Sequence, residues 1–520
     1  MTLANHNSER NAVSKKTGFK KVVLVVLDGW GVGPKDRSNP IWTANPQSIA
    51  YIKENFPLVS LQASGIAVGL PWQEEGNSEI GHLTIGSGRV IYQPFPKITM
   101  AVKDGSFFQN KVLLDAVNYA RENKVGLHFV GLFGEANVHS SLEHLQALVK
   151  MATDNGFPDF RLHLITDGRD GPPEAGLKLL GQIPQGNISS VSGRFFSMDR
   201  DNYLDRTAAG FRAMIGQSEN EPDAASFLRK MYSEKITDEF IRPTTIGDPG
   251  KSVKNGDAVV FFNFREERMK QLVRMAIDNL PDSRLVSFVE YDPSFKIPVA
   301  FPAEKVEQPL AKVLSDRGLT QLRIAESEKE AHVTFFFDGQ KTEAYPNEYR
   351  VIIPSRKTAN HALFPEMMSE EITARATTAI EEGIYNFILI NYANPDMVAH
   401  TGDFEACLKA VASIDKSLRA LVDAGLKTDT PLIITADHGN IERLLNPHTG
   451  EPETKHDPNP VPFYLVSEAF RQPKTPVEAD QREKEVAGSL ADIAPTILEL
   501  MDIPKPTEMT GESLLSYLNS

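Results

Sequence analysis

Six side chains in this sequence carry metal-ligand chemistry, and most of them stand just beyond apolar runs. Asp28 closes the run Val22-Val23-Leu24-Val25-Val26-Leu27, and Asp437 and His438 follow the run at 432–435. Asp396 and His400 stand four residues apart, and His456 lies in the polar segment Thr454-Lys455-His456-Asp457-Pro458. If the chain around Asp396 is helical, Asp396 and His400 point from one face. The set supplies three carboxylates and three imidazoles. Mixed oxygen and nitrogen donors suit Mn²⁺, Zn²⁺ or Co²⁺ better than Mg²⁺ or Ca²⁺ alone. That many ligands would hold two ions, the arrangement that clamps an in-line displacement at phosphorus. Ser78, in Gly76-Asn77-Ser78-Glu79-Ile80-Gly81-His82, stands where a helix is expected to start. Beside two cations its hydroxyl becomes a competent nucleophile, and His82 reads as support rather than ligand. Each feature alone has a plainer reading: an Asp after a strand is a turn or cap, Ser78 is an N-cap, and Asp-x-x-x-His is coincidence. The argument rests on the whole set being placed where it can converge.

The elements that must position these residues are legible as alternation. Val22 to Leu27 is a β-branched apolar run of the kind buried on both faces of a parallel sheet. Further strands are expected at 126–133, 161–165, 188–192, 258–262, 332–337, 385–391 and 432–435. Helices are expected at 112–122, 142–153, 204–214, 266–279, 370–382, 404–423 and 485–501. This alternation predicts an α/β protein with mostly parallel sheets, in which ligands gather beyond the carboxyl ends of the strands. Those ends sort by charge. The early and late ones carry Asp and His; the middle ones carry Arg, in Thr166-Asp167-Gly168-Arg169-Asp170, Gly193-Arg194 and Asn263-Phe264-Arg265. Arginine forks bind oxyanions, so an anion-binding domain is expected inside a metal domain built from both ends of the chain.

Bulk properties bound the partners. At 520 residues the chain exceeds one ordinary core, and with 41% hydrophobic and 24% charged residues it reads as soluble and globular. A net charge of -14 argues against nucleic acid as partner while leaving room for a small anion at a local arginine cluster. No stretch is apolar enough to span a bilayer, so no membrane partner is expected. The single cysteine, Cys407, excludes an intrachain disulfide and reads as a buried structural thiol. Residues 1–17 are polar and read as a disordered lead.

Seven motifs, in order, carry a resemblance: 27–31 (LDGWG), 76–82 (GNSEIGH), 166–170 (TDGRD), 262–265 (FNFR), 331–336 (AHVTFF), 391–402 (NYANPDMVAHTG) and 435–440 (TADHGN). With them the chain resembles the cofactor-independent (2,3-bisphosphoglycerate-independent) phosphoglycerate mutases of the alkaline phosphatase superfamily, from Lys21 to about Tyr517. The resemblance implies an alkaline-phosphatase-like domain of 18–93 and 312–520, an inserted transferase domain of 96–308, and hinges near 93–96 and 307–312. It implies one metal held by Asp396, His400 and His456, and another by Asp28, Ser78, Asp437 and His438. Ser78 would be the phosphorylated serine. His139, Arg169, Asp170, Arg194, Arg200, Arg265, Arg268 and Lys329 would bind substrate and move protons, with Asp170 and then His139 as acid/base. The implied activity is interconversion of 3-phosphoglycerate and 2-phosphoglycerate by a cytoplasmic monomer, with Mn²⁺ foremost among Mn²⁺, Co²⁺, Zn²⁺ and Mg²⁺, and with no requirement for 2,3-bisphosphoglycerate. A metal-dependent phosphatase or phosphodiesterase is the alternative. The chain departs from the family's usual residues at Ser141, Ala399, Glu330 and Asp338-Gly339-Gln340, none of them an inferred ligand or arginine.

Overall fold

The structure, a computed structural model, describes residues 17–446 and 449–518. The polar lead expected at 1–17 therefore lies outside the described residues except for Thr17. The chain divides into two compact units, one made of residues up to 92 and from 305 onward, the other of 93–304.

The first unit is built on an eight-stranded sheet. Its strands run, edge to edge, Glu348–Ile353, Gln321–Glu326, Phe387–Tyr392, Val22–Leu27, Leu432–Thr435, Val461–Val466, Leu58–Gln62 and Val486–Ser489. The pairings make Val461–Val466 antiparallel to both its neighbours and all other pairs parallel. All six side chains of Val22–Leu27 are buried, which explains why that run carries no polar alternation. Each contributes roughly 1.5–3 kcal/mol of apolar burial. The register pairs Leu27 with Tyr392 and Val26 with Thr435. Asp28, the 394–400 segment and Asp437 therefore leave the sheet at one level, at the carboxyl ends of three adjacent parallel strands.

The inserted unit has its own seven-stranded sheet, in the order Asn220–Glu221, Thr244–Ile246, Ile188–Gly193, Arg161–Thr166, Leu127–Phe133, Ala258–Phe261 and Arg284–Ser287. It is parallel except where Thr244–Ile246 meets Ile188–Gly193. Each unit encloses a separate apolar core.

Three expectations need correction. The 332–337 run is not a strand: His332–Phe336 is a π-helical turn. Val333 and Phe337, four residues apart, face the core together, a helical rather than a strand spacing. The helix expected over 485–501 is broken. Val486–Ser489 is a short edge strand, Leu490–Asp492 is a 3₁₀ turn, and the α-helix begins at Ile493. The helix expected from 266 starts at Lys270, leaving Arg268 on the turn before it.

Candidate metal centre and arginine cleft

Ser78 is the first residue of the helix Ser78–Ser87, and the N-cap is Asn77, whose side chain accepts from the Ile80 N–H. The capping task is thus done by its neighbour, and the Ser78 hydroxyl is free to face the strand ends. Gly81 allows that approach, because a Cβ there would lie 2.5 Å from the Asp437 carbonyl oxygen. Ser78 Oγ lies 3.0 Å from Asp28 Oδ1, 3.0 Å from His438 Nε2 and 2.9 Å from Lys329 Nζ.

Around it converge all the residues expected as ligands. Asp396 sits in the helix Asn394–Ala399 with His400 at its C-cap, so the two share a face. His400 Nε2 is 3.2 Å from Asp396 Oδ1 and 3.2 Å from His456 Nε2. The ligand atoms of Asp396, His438 and His456 lie within 4.8 Å of one another, as do those of Asp28, Asp437 and His438.

The donor set fits divalent cations. Nδ1 of His400, His438 and His456 each meets a backbone carbonyl, of Thr454, Gly439 and Gly76, at 2.9, 3.2 and 2.7 Å. That arrangement fixes Nδ1 as the donor and turns every Nε2 inward, the tautomer a metal needs. In their neutral forms His400 and His456 then oppose two lone pairs at 3.2 Å, a repulsion that a cation between donors removes. Asp437 Oδ1 accepts from Gly29 N and His438 N, while its buried Oδ2 makes no hydrogen bond and lies 3.1 Å from His82 Nδ1, which is turned to the Ser78 carbonyl. His82 and Asn391 support the cluster from behind. Asn391 Nδ2 donates to Asp28 Oδ2 (2.8 Å) and faces His82 Nε2, and His82 Nδ1 meets the Ser78 carbonyl (2.8 Å).

Lys329 belongs to this cluster too. The resemblance put it among the substrate-binding residues; the structure buries its Nζ 2.6 Å from Asp28 Oδ1 and 2.9 Å from Asp396 Oδ2. Burial works against its charge, but Asp28 and Asp396 outweigh burial and hold the ammonium above its usual range. Burial likewise opposes ionisation of Asp28 and Asp396, yet Lys329 first, and then the histidines, hold both carboxyls well below the usual range. His438 is pushed up to about 10: burial opposes its charge, and Asp437 with Asp28 outweighs it. Hydrogen bonding to Asp396 raises His400.

The inserted unit presents a second cluster of its own. Arg194, at the end of Ile188–Gly193, is buried and binds Asp167 Oδ1 at 2.5 Å, Asp170 Oδ2, and His139 Nε2 at 3.0 Å. His139 is pushed down to about 4 by burial and by Arg194, so it is neutral, and its Nδ1 has no partner within the protein. Burial raises the Asp170 carboxyl, but Arg194 more than offsets this and holds it below the usual range. Beside them is a cavity of about 290 Å³ whose walls include Arg169, Arg194, Arg206, Arg268, Asp199 and Phe240. Arg200 is half-exposed and pairs with Glu267 at 3.1 Å, and Arg265 is exposed. Neither lines that cavity. Arg206 is absent from the sequence-derived set; its guanidinium lies between the rings of Phe195 and Tyr203 (3.9 and 4.1 Å) and pairs with Asp199. Cys407 is buried, and burial pushes its thiol up to about 12, as a structural cysteine requires.

The model of the Metalloenzyme superfamily matches residues 20–505. The chain is 41% identical over 517 residues to a 2,3-bisphosphoglycerate-independent phosphoglycerate mutase of Moorella thermoacetica, covering 95% of this chain and 98% of that one. It is 42% identical over 521 residues to the protein of the same name from Thermomicrobium roseum, with the same coverage. Among solved structures, that of Leishmania mexicana phosphoglycerate mutase at low cobalt concentration is similar, with a TM-score of 0.52 and 28% identity over 96% of this chain and 98% of that one.

Proposed function

The chain belongs to the 2,3-bisphosphoglycerate-independent phosphoglycerate mutases of the Metalloenzyme superfamily, and from that premise we propose that it interconverts 3-phosphoglycerate and 2-phosphoglycerate through a phosphoserine on Ser78. The observation that carries this reading is the Ser78 hydroxyl, held within 3.0 Å of Asp28, His438 and Lys329 at the centre of the converging ligand set.

Asp396, His400 and His456 would hold one divalent ion and Asp28, Ser78, Asp437 and His438 the other, with Mn²⁺ the physiological metal ahead of Co²⁺, Zn²⁺ and Mg²⁺. Such ions supply Lewis-acid stabilisation of phosphoryl oxygens and lower the pKa of a serine hydroxyl. Ser78 Oγ, giving up its proton, attacks phosphorus; the Oγ–P bond forms as the substrate's bridging P–O bond breaks, and the leaving glycerate oxygen takes up one proton in exchange, passed to it by the Asp170–His139 pair. Lys329, fixed beside Oγ, stabilises the charge that develops there. Bound glycerate turns, its other hydroxyl loses a proton to a base, and that oxygen takes the phosphoryl group back from Ser78. In the inserted unit Arg194 anchors the acid/base pair. Asp170, ionised and partly exposed, is the first choice to move the hydroxyl proton, with neutral His139 next. Arg169, Arg200, Arg265 and Arg268 bind the anionic ends of the substrate through forked hydrogen bonds. The inserted domain would pivot at hinges near 93–96 and 307–312, the protein acting as a cytoplasmic monomer. No helix among the described residues is long and apolar enough to cross a membrane.

Acid quench during turnover of substrate labelled in its phosphoryl group tests the reading. Label recovered as phosphoserine in the peptide containing Ser78 is the expected result. Label released only as inorganic phosphate would move the protein to the phosphatase alternative.

A further inference from the structure

Glu442 is fully buried, yet it is none of the ligands or substrate-binding residues described above. Its carboxylate joins three separate loops. Oε2 accepts from the Gly31 N–H at 3.0 Å and from the Asn440 N–H at 2.8 Å, and Oε1 accepts from the Asn459 side-chain amide at 3.3 Å. The first loop carries Asp28, the second Asp437 and His438, the third His456. Asn440 extends the connection to the fourth ligand-bearing segment, because its Nδ2 donates to Asp396 Oδ1 at 2.8 Å. Neighbouring backbone bonds, Ile441 N–H to the Gly29 carbonyl and Asp457 N–H to the Gly439 carbonyl (3.0 Å each), run parallel to these links. The fit is close: a Cβ on Gly31 would stand 2.3 Å from the Glu442 carboxylate.

We infer that Glu442 is the positioning residue of the metal centre, the one side chain whose reach sets the spacing of the loops that carry Asp28, Asp437, His438 and His456. The inference rests on the reading of those residues as metal ligands. Groups that orient ligands from behind typically govern metal affinity by about 10–100-fold. What matters on this account is the length of the side chain and an acceptor oxygen at its tip, more than its charge. A glutamine keeps both, with the amide facing Asn459, whose own amide can turn to accept. An aspartate keeps the charge but falls one methylene short of Gly31 and Asn440.

The test compares Glu442→Gln and Glu442→Asp. Mn²⁺ affinity of metal-stripped full-length protein is read from the electron paramagnetic resonance of free Mn²⁺, and circular dichroism of the same samples verifies folding. Glu442→Asp is expected to lose tenfold or more in Mn²⁺ affinity, and Glu442→Gln to stay within about threefold of the natural protein. Wild-type affinity in Glu442→Asp, or an equal loss in both folded variants, would overturn the inference. So would a Glu442→Gln protein that does not fold, since then the charge rather than the reach is what the site needs. Because the readout is metal binding, the outcome does not depend on whether the protein isomerises phosphoglycerate.

Discussion

Acidification should weaken the inserted unit through a chain of hydrogen bonds across its sheet. His128 Nε2 meets Asp257 Oδ2 at 3.1 Å, His128 Nδ1 meets His163 Nε2 at 3.0 Å, and His163 Nδ1 meets Ser190 Oγ at 2.8 Å. Burial lowers both rings and keeps them neutral, and because the ionised Asp257 only accepts, His128 then donates through Nε2 and accepts through Nδ1, while His163 donates through Nε2 and accepts from Ser190. Burial, then His128 and Arg161, hold His163 well below its ordinary value of 6.5, and burial alone pushes His144 down to about 3. Above pH ~6.5 the folded and unfolded chains bind the same protons at these sites, and stability is flat. Below it the unfolded chain binds one more proton per histidine, so stability falls as pH falls. At about pH 4.5, two units below the unfolded value and still above the folded value of His144, that histidine costs roughly 3 kcal/mol, and His163 adds to the loss. The check is urea unfolding of metal-free protein from about pH 7.5 to 4.5, followed by far-ultraviolet circular dichroism, for wild type and His163→Gln. Tryptophan fluorescence is the internal reference, since all three tryptophans, at 30, 42 and 72, lie in the other unit. The variant's acid loss should be smaller than the wild type's. Parallel pH profiles would refute the neutral hydrogen-bond chain.

Other outcomes follow from the metal centre. Lys329→Met leaves the buried Asp28 and Asp396 carboxylates without their cation, so the metal-free variant should lose about 3–5 kcal/mol. Added Mn²⁺ should raise its melting temperature by more than it raises that of the wild type; an equal rise in both would count against Lys329 as the internal counter-charge. Because His438 is protonated up to about 10 without metal, binding must expel that proton. Mn²⁺ affinity should then climb about tenfold per pH unit between pH ~6 and 8, and calorimetry in buffers of different ionisation enthalpy should detect the released proton. A pH-independent affinity would contradict this.

What the sequence disclosed and what it hid divide along a physical line. Val22–Leu27 was legible because a strand buried on both faces has no polar residue to blur it, and Asp28 follows as the first residue beyond it. Asp396 and His400 were legible because spacing alone puts them on one helical face. The 332–337 run misled because its aromatic and β-branched residues favour strands by type, whereas the burial of Val333 and Phe337 follows helical spacing. Val486–Ser489 was hidden because an edge strand of four residues carries little pattern, though Gly488 inside a supposed helix was a warning. The strands Leu58–Gln62 and Val461–Val466 carry weak sequence signals, because the first is short and the second contains Pro462, which argues against a central strand. Glu442 could not be found at all: its partners are mostly main-chain N–H groups, and no residue type announces them. The resemblance marks Lys329, but its place between Asp28 and Asp396 depends on the sheet order that brings two distant strands together.

The central claim is tested most directly by adding 3-phosphoglycerate to metal-stripped protein with Mn²⁺ restored and no 2,3-bisphosphoglycerate present, while following 2-phosphoglycerate and inorganic phosphate together. The account predicts 2-phosphoglycerate formation that needs Mn²⁺, releases little phosphate and disappears in Ser78→Ala. Isomer formation that persists in Ser78→Ala, or that needs 2,3-bisphosphoglycerate, would contradict it.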